Sequence, residues 1–163
     1  MTLSIARGTL ADVAEADGLI RATAEWLISK GEKLWGPNET SRDELMRVAR
    51  SGELVIGRVE DELASCMFLH DEDRVFWPQV RPGEAFYIHR LAVARNFAGR
   101  GYAHAMLEWA ADEARARGRT FLRLDCEPRA KLLALYRDAG YRAVDSAPIQ
   151  VGEHFVVRHE KRL

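Results

Sequence analysis

Residues 91–103 read Leu-Ala-Val-Ala-Arg-Asn-Phe-Ala-Gly-Arg-Gly-Tyr-Ala, and the order of residue types in this stretch decides the fold. A buried-strand pattern passes through a short polar loop into Gly99-Arg100-Gly101, and a helical pattern follows at once. The first amides of a helix have no internal partner and stand at the positive end of its dipole, so this turn suits an anion such as a diphosphate. Gly99 and Gly101 let the backbone approach phosphate oxygens with no Cβ in the way, and Arg100 adds a cationic side chain. Glycines also serve tight turns, so the neighbouring segments must carry the decision. The full Gly-x-Gly-x-x-Gly with a downstream acid of a dinucleotide fold is missing, and so is the Gly-Lys-Ser/Thr of a nucleoside triphosphatase. The anion must be a different diphosphate.

Downstream, Ala103, Met106, Leu107, Ala110 and Ala114 form one apolar stripe, predicting a helix over 101–117 that stops at Gly118. Residues 120–126 then read as a short buried strand. Together with the strand at 85–93, this strand, helix, strand series implies a parallel pair joined by a right-handed crossover. Pro128 opens a last helix carrying Leu132, Leu133 and Tyr136 and ending at Gly140, before closing strands at 141–144 and 155–160. Upstream, residues 53–59 and 63–69 are apolar and partly β-branched around the polar corner Glu60, Asp61, Glu62, which reads as an antiparallel hairpin. Two helices precede it. Thr9 and Asp12 have capping-box spacing ahead of Val13, Ala16, Ile20, Ala24, Leu27 and Ile28, and Ser41 with Glu44 opens a second helix through Leu45, Val48 and Ala49. Two irregular segments remain: 33–40, with Gly36 and Pro37, and 71–83, with two prolines and the exposed-looking Phe76 and Trp77. The order β, α, α, β, β, β, α, β, α, β, β predicts a mixed α/β sheet in a single domain spanning 1–163.

Composition excludes several functions. Apolar residues make up 47% and charged residues 30% of 163, which fits a folded globular chain rather than a disordered one. The 24 basic and 25 acidic residues are spread along the chain, so no electrostatic footprint for nucleic acid or an anionic membrane exists. No apolar run approaches the ~20 residues that cross a bilayer, and the N-terminus lacks a signal-like pattern, so a cytoplasmic location is expected. Cys66 and Cys126 lie in apolar strand-like runs and are too few for a disulfide framework or a zinc site. They read as core thiols, and no metal is expected.

Taken together, these residues resemble the GNAT superfamily of N-acetyltransferases. Its signature Gln/Arg-x-x-Gly-x-Gly/Ala maps onto Ala98, Gly99, Arg100, Gly101, Tyr102 and Ala103, and Leu-Tyr-Arg-Asp-Ala-Gly-Tyr at 135–141 is similar to its recurrent Tyr-x-x-x-Gly-Phe/Tyr helix ending. With Arg90-Leu-Ala-Val93 before the loop and Leu-Arg-Leu-Asp-Cys126 after the helix, the resemblance spans about residues 53 to 141. It implies a GNAT-like, mostly antiparallel sheet with a splayed parallel strand pair and helices on both faces. It also implies acetyl-CoA as co-substrate, with the pantetheine arm along the backbone of Leu91, Ala92 and Val93 and the pyrophosphate on amides from Gly99 to Ala103. Ala98 stands where Gln or Arg is usual, and Arg129 where many relatives carry Asn. Arg100 and Arg129 are the cations at hand to compensate.

The implied reaction, acetyl transfer to an amine, needs a polarised carbonyl, a neutral amine and a proton for the leaving thiolate. Tyr136 matches the family position of the general acid; a packed aromatic on the helix face is its bland alternative. Strand parity puts Tyr87, His89, Leu91 and Val93 on one face and Phe86, Ile88, Arg90 and Ala92 on the other. His89 is the first candidate base and Glu84 the second, against a structural histidine and a solvated carboxylate; some relatives use no dedicated base. His104 and His154 read as surface residues. The acceptor pocket is expected from the irregular segments 30–40 and 71–84, walled by Trp35, Phe76 and Trp77, with Tyr87 as a further substrate-binding residue. Asp71, Glu72 and Asp73 are there to attract a cationic amine, or simply form a solvated loop. Small polyamine, aminoglycoside, amino acid and peptide N-terminus are all open as acceptors. A non-catalytic acyl-CoA-binding sensor is the competing function, and homodimerisation through the C-terminal strands is common among similar proteins.

Overall fold

The computed structural model describes residues 1–36 and 39–163, so Pro37, read above as part of a loop, lies outside the described residues. The chain divides into two compact units: residues 1–68 with 90–106, and residues 69–89 with 107–163.

In the first unit, β1 (Leu3–Arg7), β2 (Leu54–Val59) and β3 (Glu62–His70, of which 62–68 belong here) form antiparallel ladders. Helices α1 (Val13–Ser29) and α2 (Arg42–Arg50) supply the apolar faces foreseen in the sequence, and Val13, Ala16, Ile20, Leu45 and Val48 pack with Leu54, Cys66, Phe68 and Ala92 in one core. The caps form as their spacing predicts. Thr9 Oγ1 accepts the Ala11 amide while Asp12 returns to the Thr9 amide at 2.8 Å, closing a short 3₁₀ turn ahead of α1, and Ser41 Oγ accepts the Glu44 amide at 3.1 Å. The β2–β3 turn holds only Glu60 and Asp61, since Val59 pairs with Glu62, and Glu60 sits at φ 55°. A Cβ on Gly57 in β2 would collide with Ser65 Oγ and stand 3.2 Å from Met106 Sδ, so this position must be bare.

In the second unit, the first half of β4 (Ala85–Val93) pairs parallel with β5 (Phe121–Cys126), and the register runs from Ala85–Phe121 to Ile88–Leu124. The parallel pair expected from the strand, helix, strand series is therefore present, with α3 (Tyr102–Ala116) in the crossover segment. Beyond the last paired residues the strands run on to Val93 and Cys126. β5 then pairs antiparallel with β8 (His154–Arg162), which also takes β6 (Arg142–Ala143) and β7 (Ile149–Val151). Helix α4 (Ala130–Asp138) follows β5. The result is the mixed α/β fold with antiparallel strands and one parallel pair.

Two readings need correction. The sequence predicts two closing strands and the structure has three: β7 is only three residues long, too short for period-two alternation to declare itself. Strand parity through 86–93 also fails at Arg90, whose φ of 55° interrupts the extended backbone. Both cysteines are buried, as expected, and neither is bonded to sulfur.

Candidate functional site

The glycine turn lies in the first unit. Residues 95–97 make a 3₁₀ turn closed by the Phe97 amide on Ala94 C=O, and Ala94 is itself tied to Ala64 C=O at 2.9 Å. Phe97 and Tyr102 bury their rings 6.0 Å apart against Val59 and Ala64, fixing the loop at both ends. Between these anchors Ala98, Gly99, Arg100 and Gly101 are exposed, with Gly99 at φ 77° and Gly101 at φ 79°. A Cβ at either glycine would meet nothing within 4 Å, so the conformation rather than crowding within the protein demands glycine here. Helical bonding begins with the Ala105 amide on Gly101 C=O at 3.0 Å, which leaves the amides from Gly101 to His104 ahead of the first intrahelical bond. These residues fit a diphosphate. The Arg100 guanidinium stands 5.4 Å from the Phe97 ring and lines a groove of roughly 460 Å³ with Glu60, Asp61 and Glu62. Of the strand residues expected to align the pantetheine arm, Ala92 is buried in the α1–α2 core, Leu91 is half-buried, and Val93 packs beside Phe97 and Tyr102.

Trp35, an expected pocket wall in this unit, is buried at 6% exposure and directs its Nε1 toward Ile20 C=O at 3.4 Å. Above it lies the Arg90 guanidinium, 5.3 Å from the ring, with Nε donating to the buried Thr40 hydroxyl at 2.8 Å. The left-handed backbone of Arg90 carries the side chain to this contact.

The second unit holds the expected acid and bases. Tyr136 is buried on α4, its ring 5.9 Å from Tyr141 and 5.8 Å from His159. The Tyr-x-x-x-Gly-Tyr ending has a plain physical reason: Gly140 takes φ 90°, the Tyr141 amide closes on Tyr136 C=O at 2.9 Å, and the two rings then pack edge to face. Burial, with the negative potential of Cys126 and Asp125, pushes the Tyr136 phenol well above its ordinary value. It therefore keeps its proton at neutral pH. Burial likewise holds the His159 imidazole below its ordinary value, and its Nδ1 lies 3.9 Å from Cys126 Sγ.

His89 is half-buried, with Nε2 3.0 Å from Asp73 Oδ2 and Nδ1 3.9 Å from Asp125 Oδ1. Glu84 sits at the strand entrance and its Oε2 is 3.0 Å from Arg123 Nη1. Arg129 caps α4 and pairs with Glu127 at 2.6 Å. His104 and His154 are exposed, as expected.

The exposed-looking Trp77 is in fact buried at 6% exposure. It packs 6.2 Å from Tyr87, also buried, beneath the guanidinium groups of Arg123 and Arg158, each 5.0 Å from its ring. A proline-rich loop suggested solvent, but two arginines from β5 and β8 roof the indole. The acidic run 71–73 also divides: Asp71 pairs with Arg119 at 2.7 Å, Glu72 with Arg74 at 3.1 Å, and Asp73 turns inward to His89. Asp125 was not singled out by sequence reasoning. The usable signal was register: Tyr87 pairs with Arg123, so His89 and Asp125 stand two residues on, along the same pair of strands.

The acetyltransferase (GNAT) family model matches residues 20–141, three quarters of the chain. The chain belongs to the GNAT acetyltransferase family. The uncharacterized N-acetyltransferase YesJ of Bacillus subtilis is 32% identical over 137 residues, which cover 80% of this chain and 76% of that protein. Among solved structures, a GNAT family acetyltransferase from Listeria monocytogenes superposes with a TM-score of 0.82 at 21% identity over 99% of this chain and 95% of its own. A putative acetyltransferase from Salmonella typhimurium, solved with its cofactor acetyl-CoA, gives a TM-score of 0.75 at 13% identity over 100% and 95%. At these identities the superpositions speak to the GNAT fold alone. No helix among the described residues is long and apolar enough to cross a membrane.

Proposed function

We propose that residues 1–163 act as one domain that moves an acetyl group directly from acetyl-CoA to a primary amine of a small-molecule or peptide acceptor. The observation that carries this reading is the exposed Gly99-Arg100-Gly101 turn, with two left-handed glycines delivering unpaired amides at the start of a fifteen-residue helix. Acetyl-CoA supplies the thioester. The chain's own groups hold and serve it: amides from Gly99 to Ala103 take the pyrophosphate, the Leu91 to Val93 backbone takes the pantetheine arm, and Arg100 and Arg129 supplement the missing family side chain at Ala98. Tyr136, kept protonated by burial, donates its O–H to the departing thiolate. His89 takes the proton of the amine. Glu84 ranks behind it, because Arg123 already holds its carboxylate. Trp35, Trp77 and Tyr87, each buried, are the residues assigned to the acceptor side. A cytoplasmic setting agrees with two free thiols.

Calorimetric titration with acetyl-CoA and with coenzyme A tests this, beside a Gly101→Glu variant that puts a negative charge where the phosphates are expected. Binding by the wild type that the variant loses is the expected result. No binding by the wild type overturns the reading.

A further inference from the structure

Asp73 reaches His89 across sixteen residues of sequence, and both ends of its carboxylate are engaged. Oδ1 accepts the amides of Val75 and Phe76, each at 3.0 Å, and Oδ2 lies 3.0 Å from His89 Nε2. Burial raises the Asp73 carboxyl, but the His89 contact and the two amides outweigh it, so the group lies below its ordinary value and stays ionised. A carboxylate only accepts hydrogen bonds. His89 Nε2 must therefore carry a hydrogen, and in the neutral ring the lone pair falls on Nδ1. Nδ1 lies 3.9 Å from the buried Asp125 Oδ1, too long for a direct bond.

We propose that Asp73 is a positioning residue that fixes the tautomer and orientation of His89, so that Nδ1 is the nitrogen that receives the proton of the acceptor amine. The inference rests on the reading of His89 as the base. In the step, an N–H bond of the amine breaks, its electron pair stays on nitrogen, and the proton forms a new bond to Nδ1. The imidazolium that results lies beside two carboxylates, Asp73 at 3.0 Å and Asp125 at 3.9 Å. Also beside the ring are His70 from β3, whose ring centre is 5.5 Å away, and Phe76 at 6.4 Å; Arg158, opposite Asp125 in register, pairs with Asp145. Asp73, His89 and Asp125 also bring one ligand atom each to within 4.8 Å of one another, a spacing that suits a metal ion as well. A proton needs only the contacts already described: Asp73 holds the hydrogen on Nε2, and Asp125 adds a second negative charge beside the same ring.

Long-range ¹H–¹⁵N NMR of the histidine rings in the full chain tests this without any acceptor, at a pH where imidazoles are neutral. The wild type should show His89 as the Nε2–H form, and Asp73→Asn and Asp73→Ala should give a mixed or reversed tautomer while His159 and the amide signals outside the 71–77 loop stay in place. A wild-type His89 with hydrogen on Nδ1, or a tautomer that ignores both substitutions, overturns the role of Asp73. So does a His89 signal that shifts stoichiometrically with added zinc(II), which would make the cluster a metal site. The base reading fails separately, if His89→Gln acetylates an amine as fast as the wild type.

Discussion

Arg123 Nε donates to Glu160 Oε2 at 2.9 Å between directly paired residues of β5 and β8, and both side chains are less than a tenth exposed. The same guanidinium reaches Glu84 at 3.0 Å and the Tyr87 hydroxyl at 3.3 Å, and it stacks over Trp77 and Phe121 at 5.0 and 4.8 Å. Arg142 Nη2 lies 3.3 Å from the other Glu160 oxygen. Removing one member of such a buried pair strands the remaining charge and costs about 3–5 kcal/mol, whereas replacing both by apolar residues is far milder. Urea unfolding of Arg123→Met should show a loss of that size, and the Arg123→Met, Glu160→Leu double variant a smaller one. Equal losses in the two would mean that packing on Trp77, not charge, sets the value of this arginine.

Tyr136→Phe removes one oxygen and leaves the ring against Tyr141 and His159. If the phenol protonates the leaving thiolate, kcat falls by roughly 10²–10⁴ while affinity for acetyl-CoA is retained. A variant that keeps its kcat would reduce Tyr136 to a packing residue. Loss of cofactor affinity without loss of kcat would place it in binding instead.

How much of this was legible in advance follows from the range of each interaction. The helix caps at Thr9 and Ser41, the hairpin, the parallel pair and the glycine turn are local patterns, and the chain states them within a few residues. Trp77 and Asp73 belong to a loop whose composition suggests solvent, while their burial is set by Arg123, Arg158 and His89, distant in sequence. Arg90 was placed by simple alternation, and nothing in Ile-His-Arg-Leu announces a left-handed residue. The glycine turn at 99–101 is a local pattern, whereas the partners of His89, Glu84 and Trp77 come from distant strands and loops and emerge only in three dimensions.

Glu60 and Arg90 share a φ of 55°, which costs a non-glycine residue about 1–2 kcal/mol, yet substitution should separate them. Glu60 is an exposed turn residue, so Glu60→Gly exchanges that strain for a smaller entropic cost and should stabilise by about 0.5–1 kcal/mol. Arg90→Gly relieves the same strain but deletes the hydrogen bond to Thr40 and the stacking on Trp35, so no gain is expected. Thermal and urea unfolding of both variants check the contrast. If both stabilise alike, the Arg90 contacts carry no weight.

Four buried acids make the fold sensitive to alkali. Burial pushes the Cys66 thiol up to about 12, and burial with the nearby Asp125 and Glu127 does the same to Cys126. Burial drives the Tyr136 and Tyr141 phenols higher still. In the unfolded chain thiols release their protons near pH 8.5 and phenols near pH 10, while the folded chain retains them. Above those values the unfolded state binds fewer protons, so stability falls as pH rises; below about pH 8.5 both states are protonated and nothing is lost. Urea unfolding should therefore give a flat plateau from these groups up to about pH 8.5 and a steepening decline through pH 10 and 11. Cys66→Ala tests the assignment, since it removes one of the four acids. Its stability at pH 7 drops through the cavity it leaves, but its slope between pH 9.5 and 11 should be shallower than that of the wild type by about 1.4 kcal/mol per pH unit, the equivalent of one proton. An unchanged slope would mean that the Cys66 thiolate finds solvent before the chain unfolds.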